Sequence, residues 1–134
     1  DRVARLNCCI AADSQEALQG VRMSAVRSLS TYTRFAIAAG LEVTPGLIDA
    51  VAQLGYTHDT QKLETLARQA PDDLIRDATL AGTVEEVTAK VVSMIEWGIT
   101  QVTIRASATP RQGIATTLEA FATEVMPQVR EQLR

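Results

Sequence analysis

The chain has 134 residues, of which 46% are hydrophobic and 22% charged, and its formal net charge is −3. This length supports one domain with a hydrophobic core, and the acidic balance disfavours nucleic-acid binding, because phosphate recognition needs a basic surface. The sequence predicts neither a membrane span, which takes ~20 apolar residues, nor a signal peptide. Cys8 and Cys9 are adjacent and would point to opposite faces of a strand, so we expect reduced thiols and a cytoplasmic protein.

Residues 2–11 alternate between apolar and polar side chains, which predicts a β-strand. The apolar face carries Ala4, Leu6, Cys8 and Ile10, and the polar face carries Arg5, Asn7 and Cys9. Asp13 and Glu16 then form a capping-box pattern that predicts the start of a long helix, with Gly40 at its end.

Three shorter helices are predicted in the middle of the chain. Thr44-Pro45 marks the start of the first, which ends at Gly55. The second runs through Leu63–Ala67, and the third opens at Pro71.

The last third predicts a helix, a strand and a final helix. Thr83 and Glu86 form a second capping box, and Gly98 ends the helix that begins there. Residues 99–105 alternate as a strand, with Val102 and Ile104 on one face. The final helix begins near Ile114. This order indicates an α/β architecture with parallel strands.

Two predicted strands do not make a stable sheet by themselves, because sheets in proteins usually contain about four to six. The chain also enters its first strand immediately after Asp1. We therefore expect a truncated piece whose missing strands come from an absent segment or from another chain.

Three stretches carry a resemblance to a known family. Residues 81–87 read Ala-Gly-Thr-Val-Glu-Glu-Val and are followed by Gly-Ile-Thr-Gln-Val-Thr-Ile-Arg at 98–105. Residues 118–127 read Leu-Glu-Ala-Phe-Ala-Thr-Glu-Val-Met-Pro, and residues 12–17 read Ala-Asp-Ser-Gln-Glu-Ala. Taken in their order along the chain, these stretches resemble the end of luciferase-like monooxygenases and methylene-tetrahydromethanopterin reductases. The family usually has proline where this chain has Val84, a departure that affects only the helix start.

The resemblance implies an α/β fold: the C-terminal fragment of a (β/α)8 TIM-type barrel, mostly helical with two parallel-type strands. Residues 1–134 would be a single partial domain, formed by the last two βα units with a helical insertion at about 41–81. It also implies a parent oxidoreductase that acts on a small-molecule substrate with FMN or the deazaflavin coenzyme F-420. The family's catalytic residues lie on earlier strands, so the isolated chain is expected to be inactive and to bind no cofactor.

If residues 2–11 and 99–105 are the seventh and eighth barrel strands, their polar faces point inward. The candidate cofactor- or substrate-binding residues are then Arg105, Cys9, Thr103 and Asn7. Arg105 would hold an anionic group of the ligand; the alternative is a solvated arginine or one paired with a carboxylate. Cys8 is expected to be a core residue, and one histidine with two adjacent cysteines provides too few ligands for zinc.

A second hypothesis comes from a different functional class. The chain could be a non-catalytic helical module for interaction or oligomerisation. Such a module would have to bury its strand edges without help, whereas the exposed strand edges and helix faces of a truncated barrel predict a homo-oligomer.

Overall fold

The computed structural model describes residues 1–38 and 58–134. The strands are β1 (Val3–Ile10), β2 (Leu80–Gly82) and β3 (Gln101–Ala106). The helices are α1 (Ser14–Ala38), α2 (Thr60–Gln69), α3 (Asp72–Ala78), α4 (Val84–Glu96), α5 (Ile114–Ala120) and α6 (Met126–Gln132), with a π-helical turn at Phe121–Val125 between the last two. No helix within these ranges has the length and apolar character that a membrane span requires.

The strands form a parallel sheet with the order β2-β1-β3. The two predicted strands are therefore confirmed as neighbours, with the register Val3 opposite Gln101 through Cys8 opposite Ala106. The strand β2, which pairs with the last residues of β1, was not predicted from the sequence. Its three residues are too few to show the alternation that identifies a strand.

One face of this sheet packs against α4 and α6. Its buried core comprises Cys8, Ile10, Leu80, Val87, Val91, Met94, Val125 and Val129. Ala4, Leu6, Val102 and Ile104 pack against that core. The predicted apolar faces of both strands thus lie against helices, and Cys8 is confirmed as a core residue.

The helix caps explain where two elements begin and end. Thr83 and Glu86 form the predicted capping box at the start of α4, and Asp13 Oδ1 accepts a hydrogen bond of 2.8 Å from the Glu16 amide at the start of α1. Gly98 has a φ of +90°, a conformation that side chains with a Cβ rarely adopt, and follows the last turn of α4. The predicted stop at Gly98 is confirmed.

The π-helical turn keeps one face of the final helical segment in contact with the sheet. The buried residues Thr117, Val125 and Val129, together with half-buried Phe121, recur every fourth residue. In a regular α-helix such a series rotates by about 40° per step, because one turn takes ~3.6 residues. The wider π turn offsets this rotation, so the series stays on one side.

The described residues divide into two compact units, one formed by Asp1–Val21 with Thr79–Arg134 and one by Arg22–Ala78. In the second, Leu63, Leu66, Ala67 and Ile75 are buried, and α2 and α3 confirm two of the predicted short helices. The predicted helix from Thr44 to Gly55 and the predicted helix end at Gly40 lie outside the described residues. A single partial domain with an insertion at about 41–81 stays a prediction.

Candidate functional site

The polar face of the β1–β3 ladder brings three of the four predicted site residues together. Asn7 lies opposite Arg105, and Thr103, two residues earlier on β3, lies opposite Arg5. Asn7 is buried, with 6% of its surface exposed, Thr103 is half-buried and Arg105 is exposed. The face therefore presents two arginines beside uncharged groups that form hydrogen bonds.

Arg5 and Arg105 have no hydrogen bond or ion pair with any other described residue, whereas Asn7 does interact with a neighbour. Both arginine side chains are exposed. A guanidinium group without a protein partner is able to bind a carboxylate or phosphate through two parallel hydrogen bonds. This part of the sheet can thus accept an anionic group.

Cys9 shares the polar face but lies in a closed environment. Its exposed fraction is 0%, and the Thr117 hydroxyl lies 3.9 Å from Cys9 Sγ. A Cβ placed on Gly20 of α1 would lie only 2.7 Å from the same sulfur. Within the first unit, therefore, α1 and α5 cover Cys9, while Arg5, Thr103 and Arg105 remain accessible to solvent.

The segments that follow the strands are linked by hydrogen bonds that the sequence did not reveal. Ser14 donates to Glu86, which connects the segment after β1 to the start of α4. Thr109, in the loop after β3, donates to Glu16 at 2.8 Å. Gln112 in the same loop donates to the Ile10 carbonyl at the end of β1. These links hold the carboxyl ends of the strands together.

Thr117 is a fourth link, and it is fully buried. Its hydroxyl accepts a hydrogen bond of 3.2 Å from the Ile10 amide and lies 3.3 Å from the Ser107 carbonyl. The only signal in the sequence is a hydroxyl residue at the helix position where an apolar residue would otherwise face the sheet. The sequence does not predict the hydrogen-bond partners of this hydroxyl, because they depend on which strand lies beneath the helix.

The Glu85-Glu86 pair at the start of α4 has a structural role. Glu86 completes the capping box by accepting a hydrogen bond of 2.8 Å from the Thr83 amide. The pKa of Glu85 is lowered, first by a hydrogen bond from its own backbone amide and then by one from the Thr83 hydroxyl. Both carboxylates thus stabilise the helix start. Among the described residues, no group of three or more histidine, cysteine, aspartate or glutamate side chains is placed to hold a metal ion.

Comparison with known proteins decides the family. The profile of the luciferase-like monooxygenase family matches residues 1–101. The chain belongs to this family. It is therefore part of an oxidoreductase family, as the resemblance at 12–17 and 81–105 predicts.

The fold of this luciferase-like chain is also similar to a solved structure, the coenzyme F-420-dependent tetrahydromethanopterin reductase from Methanopyrus kandleri. The TM-score is 0.67 at 17% sequence identity, over 96% of this chain and 35% of the reductase chain. The reductase has a luciferase-like TIM-barrel fold, so the α/β fold of this chain corresponds to about a third of a barrel. None of the curated proteins matches the chain significantly.

The two thiols of this luciferase-like chain are predicted to be unreactive in the folded state. Burial raises the pKa of Cys8 from 9.0 to about 12, with a smaller contribution from Cys9, and burial also raises the pKa of Cys9. The thiolate is the nucleophile, so iodoacetamide at pH 8 should modify neither residue in the native protein and both after denaturation. Mass spectrometry measures the number of added groups.

Burial of the Cys8 thiol also has a pH-dependent effect on stability. The folded state favours the neutral thiol, so this contribution is complete below pH 9 and is lost as the pH rises towards about 12. Cys8→Ala removes the titrating group, so the free energy of unfolding of this variant should fall less steeply over that pH range. If the free energy of unfolding fell equally steeply with pH in the variant and the original chain, a raised pKa for Cys8 in the folded state would be contradicted.

Proposed function

We propose that the chain forms one wall of the cofactor-binding barrel in an oxidoreductase that uses FMN or the deazaflavin coenzyme F-420. The observation that carries the proposal is the polar face of the β1–β3 ladder in a member of the luciferase-like family. On this face Asn7, Thr103 and Arg105 lie together, and Arg105 has no partner among the described residues.

The residues present fit the anionic part of such a cofactor. An exposed guanidinium provides charge-assisted hydrogen bonds to a phosphate or carboxylate, while Thr103 and Asn7 add neutral hydrogen-bonding groups. When bound, the flavin or deazaflavin supplies the redox chemistry, either hydride transfer to a small-molecule substrate or oxygen activation. The role of this chain is to bind and orient the cofactor.

Two further features agree with this proposal. Cys8 and Cys9 are both free thiols, which suits the reducing environment of the cytoplasm. Family membership also favours an oxidoreductase over the alternative, a non-catalytic interaction module. Because the chain spans 35% of the reductase that it resembles, we expect it to lack activity without the remaining strands.

The same proposal predicts association of the isolated chain. β3 pairs with β1 on one edge, and no described strand pairs with its other edge. An uncovered strand edge is a template for pairing with another strand. We expect dimers or larger oligomers by light scattering, and a stable monomer at high concentration would argue against shared strands.

Cofactor titration tests the function. The isolated chain should show no stoichiometric binding of FMN or F-420 by fluorescence.

In a protein that carries this sequence within a complete barrel, Arg105→Gln should weaken cofactor or substrate binding about tenfold, because one charge-assisted contact is lost. Arg130→Gln is a matched control, since Arg130 is an exposed residue of α6 that lies outside the β1–β3 ladder. Equal affinities in the two variants would reject a binding role for Arg105.

A further inference from the structure

The positions of Arg5 and Arg105 on adjacent strands suggest that they act as a pair. Arg5 lies opposite Thr103, and Arg105 lies two residues further along β3, so both side chains leave the same face of the sheet. Parallel strands lie about 4.8 Å apart and rise about 3.3 Å per residue, which places the two Cα atoms roughly 8 Å apart. Two arginines at this separation can both reach one small anion.

The charge on this face is not neutralised within the sheet. The other residues of the three strands that share the face are Val3, Asn7, Cys9, Ala81, Gln101 and Thr103, none of which carries a carboxylate. Neither guanidinium is paired with any other described residue. This concentration of positive charge occurs in a chain whose net charge is −3. Two like charges on one face repel each other, and a shared anion would remove that repulsion.

We propose that Arg5 and Arg105 together form a binding site for one doubly charged, phosphate-type anion. The planar guanidinium groups donate to the oxygens of the anion from two sides. Thr103, which lies on the same face opposite Arg5 and two residues before Arg105 on β3, provides a hydroxyl donor. The inference rests on the proposed function for the identity of the ligand but not for anion binding itself, because both arginines belong to this chain and neither is paired with another of its described residues.

The test is a titration of the isotopically labelled 134-residue chain with inorganic phosphate, followed by the NMR signals of the arginine Nε–H groups. Phosphate should shift the Arg5 and Arg105 signals in a saturable manner, whereas sodium chloride at the same ionic strength should not. Arg5→Gln and Arg105→Gln should each weaken phosphate binding about tenfold. Arg130→Gln removes the same charge from α6 and should change the affinity less than about twofold.

Two results would overturn the site: equal shifts with phosphate and chloride, or unchanged affinity in both strand variants. Unchanged amide spectra elsewhere in the variants verify that the fold is intact. The origin of the anion is decided by competition between FMN and a simple phosphate monoester in a protein that carries this sequence within a complete barrel. FMN displacing phosphate more strongly indicates a cofactor phosphate; equal displacement indicates an anionic substrate, and either result supports the pair. A chain that binds phosphate while the complete barrel binds no flavin would reject the proposed cofactor but retain the site.

Discussion

Replacing Arg22 with methionine is expected to lower the free energy of unfolding by about 3 kcal/mol. Arg22 is 6% exposed and donates two hydrogen bonds from Nη1, to the Ala67 carbonyl at 3.1 Å and the Ala70 carbonyl at 2.6 Å. Its Nη2 also forms an ion pair with Asp72. One side chain therefore satisfies carbonyl groups at the end of α2 and binds the first residue of α3. Methionine fills a similar volume but leaves these buried carbonyls without a donor.

Two companion variants separate the hydrogen bonds from the ion pair. Arg22→Lys keeps the charge, but a single ammonium group cannot reproduce the planar fork that serves three acceptors, so we expect a loss of about 2 kcal/mol. Asp72→Asn removes only the ion pair, and because the Asp72 side chain is 48% exposed we expect a loss below about 1 kcal/mol. Urea denaturation followed by circular dichroism measures all three. A loss for Asp72→Asn as large as that for Arg22→Met would show that the ion pair, and not carbonyl satisfaction, is the main contribution.

The sequence predicts the elements whose signals are local. The alternation at 2–11 and 99–105 identifies β1 and β3, because strands with one helix-packed face repeat every second residue. Thr83 with Glu86 identifies the start of α4, since a capping box is complete within four residues. The division of β1 into a helix-packed face and a polar face follows from the same period. These features together place Asn7, Thr103 and Arg105 on one surface.

What the sequence does not predict depends on contacts between distant residues. From the sequence alone, Arg22 would be interpreted as an exposed helix residue. Its role depends on the carbonyls at the end of α2, which lie more than forty positions further along the chain. Thr117 reads as a surface hydroxyl until β1 is placed beneath α5. Cys9 was expected to line a pocket, but its side chain is fully buried. Gly20 contributes to this burial, because its lack of a side chain allows α1 to pack closely against the Cys9 sulfur. In each case the determining partner is far away in the sequence.

That close approach leads to the second large effect, at Gly20. A Cβ at this position would lie 2.7 Å from Cys9 Sγ, 2.9 Å from the Ala108 carbonyl oxygen and 3.1 Å from Thr109 Cγ2. Alanine favours a helix over glycine by about 1 kcal/mol, so an open site would be stabilised by Gly20→Ala. Here overpacking costs about 1–3 kcal/mol, and the backbone oxygen cannot rotate away as a side chain does. We expect a net loss of up to about 2 kcal/mol for alanine and a larger loss for Gly20→Val.

Gly113 provides the matched control, because a Cβ placed there meets nothing within 4 Å. Gly113 is the N-cap of α5, so Gly113→Ala should lower the free energy of unfolding in a urea titration only by the cost of alanine at that position, less than about 1 kcal/mol. The double variant Cys9→Ala with Gly20→Ala separates the two main contacts: removing the sulfur relieves the contact at 2.7 Å but leaves the one at 2.9 Å with the Ala108 oxygen. The double variant should therefore be more stable than the sum of the single losses predicts, while remaining less stable than the original chain. Strict additivity would mean that α1 does not contact Cys9, and the closed environment assigned to this thiol would then be wrong.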